Sequence, residues 1–403
     1  MPGFEEARRI ILESVTPLGA EQVPAWEAVG RVLAEDLLAP RDFPAWDNSA
    51  MDGYAMRAED VRPPVRLRLS AYIPAGGDAS EPLERGTAAK ILTGAPIPAG
   101  ADAVVPFEEA EERDGAVLLG SPVRAGAHVR RRGEDLRSGA VAVAAGTVLG
   151  PAEISFLAAS SRLSVPVVRR ARVAILSTGD ELVAPGEPLA PGKIHDANSL
   201  AVAAAVRLAG AEPVLLGIAR DDLGSLRELL ARGLAADALV TTAGVSMGDR
   251  DLVRQVLDEL GVRQVFWKVD IKPGRPTAFA LRGTTPVFSL PGNPVSTLLT
   301  FEQFVRPALL RMMGHGSVLR PLAGAVLQED VSRRPGRVSF LRVRLERQGD
   351  DLLAWSAGDQ DTGILRTLLR ADGIAILPAD WGDVSRGTRV PVQVLRSSAG
   401  GAR

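Results

Sequence analysis

The stretch that most constrains the fold is 237–276, DALVTTAGVSMGDRDLVRQVLDELGVRQVFWKVDIKPGRP. Ala238, Leu239 and Val240 form a short apolar run bounded by turn signals, which marks a buried strand. The chain leaves it through Thr241-Thr242-Ala243-Gly244 and a small-residue loop, Val245-Ser246-Met247-Gly248, with Asp249 placed to cap a helix. Leu252, Val253, Val256, Leu257 and Leu260 recur at helical spacing, and Gly261 supplies the stop. Residues 265–269 read as the next strand. A strand–loop–helix–strand unit predicts an α/β domain whose ligands sit at the carboxyl ends of the strands, against helix starts.

Charge inside this unit is unevenly placed. Asp251 falls in the first helical turn, where dipole compensation alone accounts for an acid. Lys268, Lys272 and Arg275 crowd a Pro/Gly-rich segment. Of 47 basic residues four are lysines, and two of those four lie here. A compact ammonium suits a tetrahedral oxyanion, whereas the Arg fork favours planar carboxylates and bidentate phosphate grips. The whole-chain charge of −2 gives no case for nucleic acid or a membrane surface. The absence of cysteine excludes disulfides, thiolate catalysis and Cys-zinc sites, and three histidines make a His-rich metal site a poor fit. A metal bound here is expected to be a hard cation on carboxylates. No signal peptide or long apolar run is visible, which points to the cytoplasm.

Taken in order, residues 4–14 have amphipathic helical spacing and 26–33 read as a second helical segment. DNSAMDGYAM (47–56) is a loop dense in small and acidic residues, with Asp52-Gly53 as a turn pair. Residues 60–136 are β-rich: Val65, Leu67 and Leu69 alternate with Arg66, Arg68 and Ser70. RRRGED (130–135) reads as a solvated loop with internal ion pairs. Residues 149–163 return to helix and rejoin the N-terminal helices, making the β-rich part an insertion. Strands at 172–176, 213–218 and 287–290 then alternate with helices at 198–208, 223–234 and 297–312, which predicts a parallel sheet covered on both faces. Beyond 319 the alternation of Leu341, Val343 and Leu345 with Arg342, Arg344 and Glu346 predicts strands. The fold class is therefore multidomain α/β and β. A helical N-terminal domain comprises 1–40 and 137–168, and a β-rich inserted domain 41–136. A parallel α/β sheet domain follows at 169–318, and a small all-β, barrel-like C-terminal domain at 319–403.

Acid-bearing loops follow the strand ends of the α/β domain: Asp180-Glu181, Asp221-Asp222 and Asp249-Asp251. Strand C-termini share one edge of a parallel sheet, so these carboxylates are expected to converge, and converging carboxylates repel unless a cation sits among them. Mg²⁺ with a phosphate is the natural occupant. Together with Lys268 and Lys272 they predict a site for an anion plus Mg²⁺.

Seven motifs then carry a family resemblance: DNSAMDGYA (47–55), ILTGAPIPAGADAVVP (91–106), RRRGEDL (130–136), STGDEL (177–182), GVSMGDRD (244–251), IKPGRP (271–276) and LPGNPVS (290–296). With these in order along nearly the whole chain, it resembles the molybdopterin molybdenumtransferase family, MoeA in bacteria and the E domain of gephyrin in animals. The resemblance implies the last step of molybdenum cofactor synthesis: adenylylated molybdopterin and molybdate react with Mg²⁺, the metal enters the dithiolene and AMP leaves. It implies an α/β domain of the molybdopterin-binding type in an elongated homodimer, each active site lying between the α/β domain of one subunit and the β-rich part of the other. Asp52, Thr93, Asp135, Glu181, Asp251, Lys268 and Lys272 match the family's functional positions, with Glu181, Asp221 and Asp251 as metal ligands. Ser296 and Arg342 match positions linked to molybdate. The motif loops add Thr178, Gly179, Asp180, Gly244, Ser246, Gly248, Pro273, Gly292 and Asn293 as binding candidates. A molybdopterin adenylyltransferase and molybdoenzyme clients are the implied protein partners.

Three departures stand out. Ala243 replaces the first Gly of a Gly-Gly pair, so the loop is expected to do without one positive-φ option. Arg275 replaces a common Lys, and Asp361-Thr362-Gly363 replaces a Ser-rich turn. Two other readings are a different nucleotide- or pterin-binding enzyme, such as an adenylyltransferase that shares only the α/β part, and a non-catalytic gephyrin-like scaffold. Asp52, Thr93 and Asp135 belong to the longer chain, and the retained Glu181, Asp251 and Lys272 speak for catalysis.

Overall fold

The computed structural model describes residues 1–243 and 252–396. Two compact units emerge. One comprises Met1–Ala34, Gly146–Gly150 and the described chain from Ser164; the other comprises Glu35–Ala145 and Pro151–Leu163.

The first unit is built on a six-stranded sheet in the order Glu212–Ala219, Arg172–Thr178, Ala238–Thr242, Thr285–Leu290, Ala278–Arg282, Arg263–Phe266. Five of these run the same way, and Ala278–Arg282 is antiparallel to both neighbours. The sheet is therefore mixed where an all-parallel one was expected. The cause is local: only Gly283 and Thr284 join Arg282 to Thr285, and a two-residue connection can link antiparallel strands alone. Arg172–Thr178 is buried on both faces. Val173 and Ile175 pack with Phe279, Phe288, Val202 and Val206 on one side; Ala174 and Leu176 pack with Leu226, Leu230, Val253 and Val256 on the other. The period-two alternation of the strand distributes the helices. Helix Phe4–Ser14 joins the first of these cores through Phe4, Ala7 and Ile11.

Residues 26–33 form no α-helix. A 3-10 turn at Ala25–Glu27 is followed by Gly30 at φ +77° and by bridges from Val32 to Val148 and Leu33 to Val167. Rejoining of the N-terminal segment is achieved by strand Ser164–Val168, antiparallel to Ala20–Pro24. Helix Pro151–Ala159 instead sets Phe156 on Phe43 in the second unit, ring centroids 5.5 Å apart. The expected helix 297–312 is Pro294–Thr300, a π turn at Phe301–Val305 and Arg306–Met312. Pro307 lacks the N–H that an unbroken α-helix would use there.

A barrel of Leu322–Leu327, Val338–Gln348, Asp351–Ser356, Gly373–Leu377 and Arg389–Val394 completes this unit. It closes because Val338–Gln348 pairs with both Asp351–Ser356 and Gly373–Leu377. Ile271–Lys272, from the segment between strands of the α/β sheet, adds in parallel to Val338 and Ser339.

The second unit carries another six-stranded sheet, ordered Ala103–Pro106, Gly53–Met56, Thr87–Ile91, Val65–Ile73, Ala116–Leu119, Glu111–Arg113. Gly53 is not a turn residue. It opens a central strand between Ile91 and Pro106, and a Cβ there would run into the Val105 backbone.

Candidate functional site

The parallel strands end together. Thr178 pairs with Ala219, Ser177 with Thr242, and Thr242 with Leu290, so the loops after Ala219, Thr178, Thr242 and Leu290 leave one edge. Ser177 and Thr242 hydroxyls lie 2.9 Å apart in the core beneath it. Thr178 is buried; Gly179 follows at φ +141°, and Asp180 and Glu181 are exposed beyond it. The Asp221 N–H donates to Asp180 Oδ1 at 3.3 Å, so the two acid loops touch. Asp222 caps helix Leu223–Gly233 by accepting from the Ser225 N–H at 2.8 Å. Among the described residues no three acid or histidine side chains group closely enough to hold a metal by themselves. Gly244, Ser246, Gly248, Asp249 and Asp251 lie outside the described residues.

The segment 268–277 returns the chain to the same edge, because Ala278 pairs with Ser289, one residue before Leu290. Here the α/β domain and the barrel enclose a cavity of about 830 Å³. Lys268, Lys272, Pro273, Arg275 and Ala243 line it, with Gly292, Asn293 and Ser296 from the turn after Thr285–Leu290. The barrel contributes Arg333, Arg337, Gln360 and Thr362. Every charged side chain among the described lining residues is basic, so the cavity suits an anion. Lys272 and Arg275 are exposed and make no ion pair among the described residues. Arg337 pairs with Asp270 at 3.1 Å, and Arg333 is anchored on the Pro378 carbonyl at 2.7 Å. Gly274, at φ +99°, lets this segment pass so close to Thr300 that a Cβ would clash with its methyl. Asn293 Nδ2 donates to Thr362 Oγ1 at 2.7 Å, joining the turn to the barrel loop.

Arg342 is not a lining residue. It is fully buried, donates through Nε to Thr367 Oγ1 at 2.7 Å, and through Nη2 to the Asp359 and Asp361 carbonyls at 3.1 Å each. Its Nη1 has no partner. Burial presses its pKa down against the pull of Asp359 and Asp361. Arg342 thus holds the loop that presents Gln360 and Thr362.

In the second unit Asp52 and Thr93 meet. Asp52 Oδ1 accepts from the Thr93 N–H at 2.6 Å and its hydroxyl at 2.7 Å, and these bonds hold the carboxyl below its ordinary pKa. Asp135 is exposed on the 130–136 turn, its N–H donating to the Phe43 carbonyl at 3.1 Å. The arginines of that turn pair outward, Arg131 with Asp47 at 2.7 Å and Arg132 with Asp42 at 2.6 Å.

Sequence reasoning missed Arg333 and Arg337, which lie in a barrel segment without local motif. It also missed Lys193, whose ammonium donates to the Asp180 carbonyl from a short excursion paired to Leu182–Val183. Lysine scarcity was the available signal for Lys193.

Residues 3–161 match the family described as MoeA N-terminal region (domain I and II), 174–311 the probable molybdopterin binding domain, and 324–395 the MoeA C-terminal region (domain IV). Molybdopterin molybdenumtransferase 2 of Mycobacterium tuberculosis is 38% identical over 403 residues, covering 97% of this chain and 99% of the relative. Molybdopterin molybdenumtransferase of Nostoc sp. is 38% identical over 98% of this chain and 94% of its own. The crystal structure of the molybdopterin biosynthesis MoeA protein from Pyrococcus horikoshii superposes with a TM-score of 0.85 at 35% identity, covering 98% of this chain and 99% of that one.

Proposed function

The chain belongs to the molybdopterin molybdenumtransferase family, and from that premise we propose that it inserts molybdate into adenylylated molybdopterin with release of AMP, in molybdenum cofactor biosynthesis. The observation that carries this reading is the basic cavity at the strand-end edge, with Lys272 and Arg275 free of ion pairs among the described residues. Molybdate is a small dianion with little apolar surface. It depends on a few charge-assisted hydrogen bonds, each worth about 1.5–3 kcal/mol. Lys272, Arg275 and the Ser296 hydroxyl supply donors from the α/β side, and Thr362 and the barrel arginines close the other side. Matches over the N- and C-terminal regions favour this activity over that of an enzyme with the α/β part alone.

Mg²⁺ fits the donor chemistry of the neighbouring acid loops: exposed carboxylates offer hard oxygens, and the Asp180–Asp221 contact brings two loops together. Glu181, Asp221 and Asp251 would hold it. When bound, the ion neutralises phosphate charge on the adenylylated pterin. Asp52 and Thr93 are held rigid by their mutual hydrogen bonds, and belong with Asp135 to the same activity. The homodimer, the cytoplasmic setting and exchange with an adenylyltransferase and molybdoenzyme clients are parts of the same proposal.

The test is Lys272→Ala. Loss of one ammonium raises the molybdate concentration needed for half-maximal insertion by about one to two powers of ten, while affinity for the adenylylated pterin changes little. High molybdate partly restores turnover. Normal insertion by the variant at limiting molybdate refutes the assignment.

A further inference from the structure

Building on the insertase reading, we infer that Gln303 and Gln393 are positioning residues that set the spacing across the oxyanion cavity. The two amides are buried, at 1% and 4% exposure. They face each other reciprocally: Gln303 Nε2 donates to Gln393 Oε1 at 2.7 Å, and Gln393 Nε2 donates back to Gln303 Oε1 at 3.3 Å.

Each partner is tied to a different wall of the cavity. Gln303 sits in the π turn Phe301–Val305, which continues the helix Pro294–Thr300 that carries Ser296. Gln393 lies directly opposite Ile374, and Ile374 directly opposite Arg342 on the next strand. Residues directly opposite on antiparallel strands share a face, and Ile374 packs in the α/β core with Phe304 and Phe340. One amide pair therefore links the helix of Ser296 to the strand row of Arg342, which holds the Gln360–Thr362 loop. Apolar contacts between the same surfaces are non-directional and tolerate sliding. A reciprocal amide pair is satisfied in one register only, and a half-satisfied one is penalised by burial. Lys272 is paired to the barrel and moves with it, so sliding of the barrel would change the distance from Ser296 to Lys272, Thr362 and Arg337. Recognition of a small dianion depends on that distance.

The test replaces both amides, Gln303→Leu with Gln393→Leu. Removing both partners at similar volume leaves no buried polar group unpaired, so the protein folds with a Tm near wild type. The expected result is a rise of roughly five- to twentyfold in KM for molybdate, with KM for the adenylylated pterin within about twofold of wild type. Gln393→Asn keeps the amide but shortens its reach by one methylene. It shifts the molybdate KM in the same direction, and carries the test alone if the double variant does not fold. Molybdate-dependent turnover of the wild-type protein checks the insertase reading separately. With that turnover present, an unchanged molybdate KM in a folded variant, or equal rises for both substrates, overturns the positioning role and leaves the insertase reading standing.

Discussion

Ala243 closes strand Ala238–Thr242 at φ +68°, a region an L side chain enters at a cost of about 1–2 kcal/mol. With alanine in place of the first Gly of the pair, the loop is expected to do without one positive-φ option; instead the alanine itself adopts it. Its N–H donates to the Leu290 carbonyl at 3.1 Å, and its methyl lies beside Gly292, so the neighbouring strand end and its turn hold the strained backbone. Ala243→Val should therefore destabilise by about 2 kcal/mol, because β-branching worsens the same contact. Ala243→Gly should stay within about 1 kcal/mol of wild type, the relieved strain offsetting the added freedom of the unfolded chain. Urea midpoints of the two variants check the difference, and equal midpoints would remove the strain from the account.

Helix Phe4–Ser14 acts at the scale of elements. Phe4 is 4% exposed and meets Phe304 of the π turn and Phe340 of the barrel edge to face, with centroids 5.8 and 5.1 Å apart. Phe340 lines the cavity. Phe4→Ala should cost about 3–5 kcal/mol of stability, measured by chemical denaturation; a cost below about 1 kcal/mol would show that the aromatic joint is dispensable. This helix was legible to the residue, as was Asn198–Leu208, because their apolar spacing has one reading. Residues 26–33 carry a similar apolar density, yet Pro24 and Gly30 force turns and the segment serves as strand-like bridging. Ala278–Arg282 is only five residues long and follows a Pro/Gly-rich segment, so it does not stand out as a strand, although the two-residue link Gly283-Thr284 carries the sign of its antiparallel direction. At the site, Lys268, Lys272 and Ser296 could be found because each sits in a local turn signature. Arg333 and Arg337 could not, since only the closure of the barrel brings them to the cavity.

For the molecule as a whole, several carboxylates are held below their ordinary pKa of 3.8. The Ser138 N–H and Arg132 do this for Asp42, the Arg132 N–H for Asp47, and the Thr93 N–H for Asp52. At Asp237 burial pushes the other way, but the Arg169 guanidinium, at 2.7 and 2.6 Å, and the Arg172 N–H outweigh it. A depressed folded pKa means stability that is complete above the unfolded value and lost as pH falls through the folded one. The urea midpoint should thus be level from about pH 7 to 5 and fall below about pH 4. Asp237→Asn should start lower and fall less, and a parallel fall would exclude Asp237 from the acid response. The pairing of Ile271–Lys272 with Val338 and Ser339 bears on the history of such chains. A lysine that lines the cavity is also an edge of the neighbouring barrel, so heredity cannot shuffle the two modules independently. A barrel borrowed from elsewhere would arrive without a strand, and a change that loosened the barrel's edge would be felt at once in the shape of the cavity.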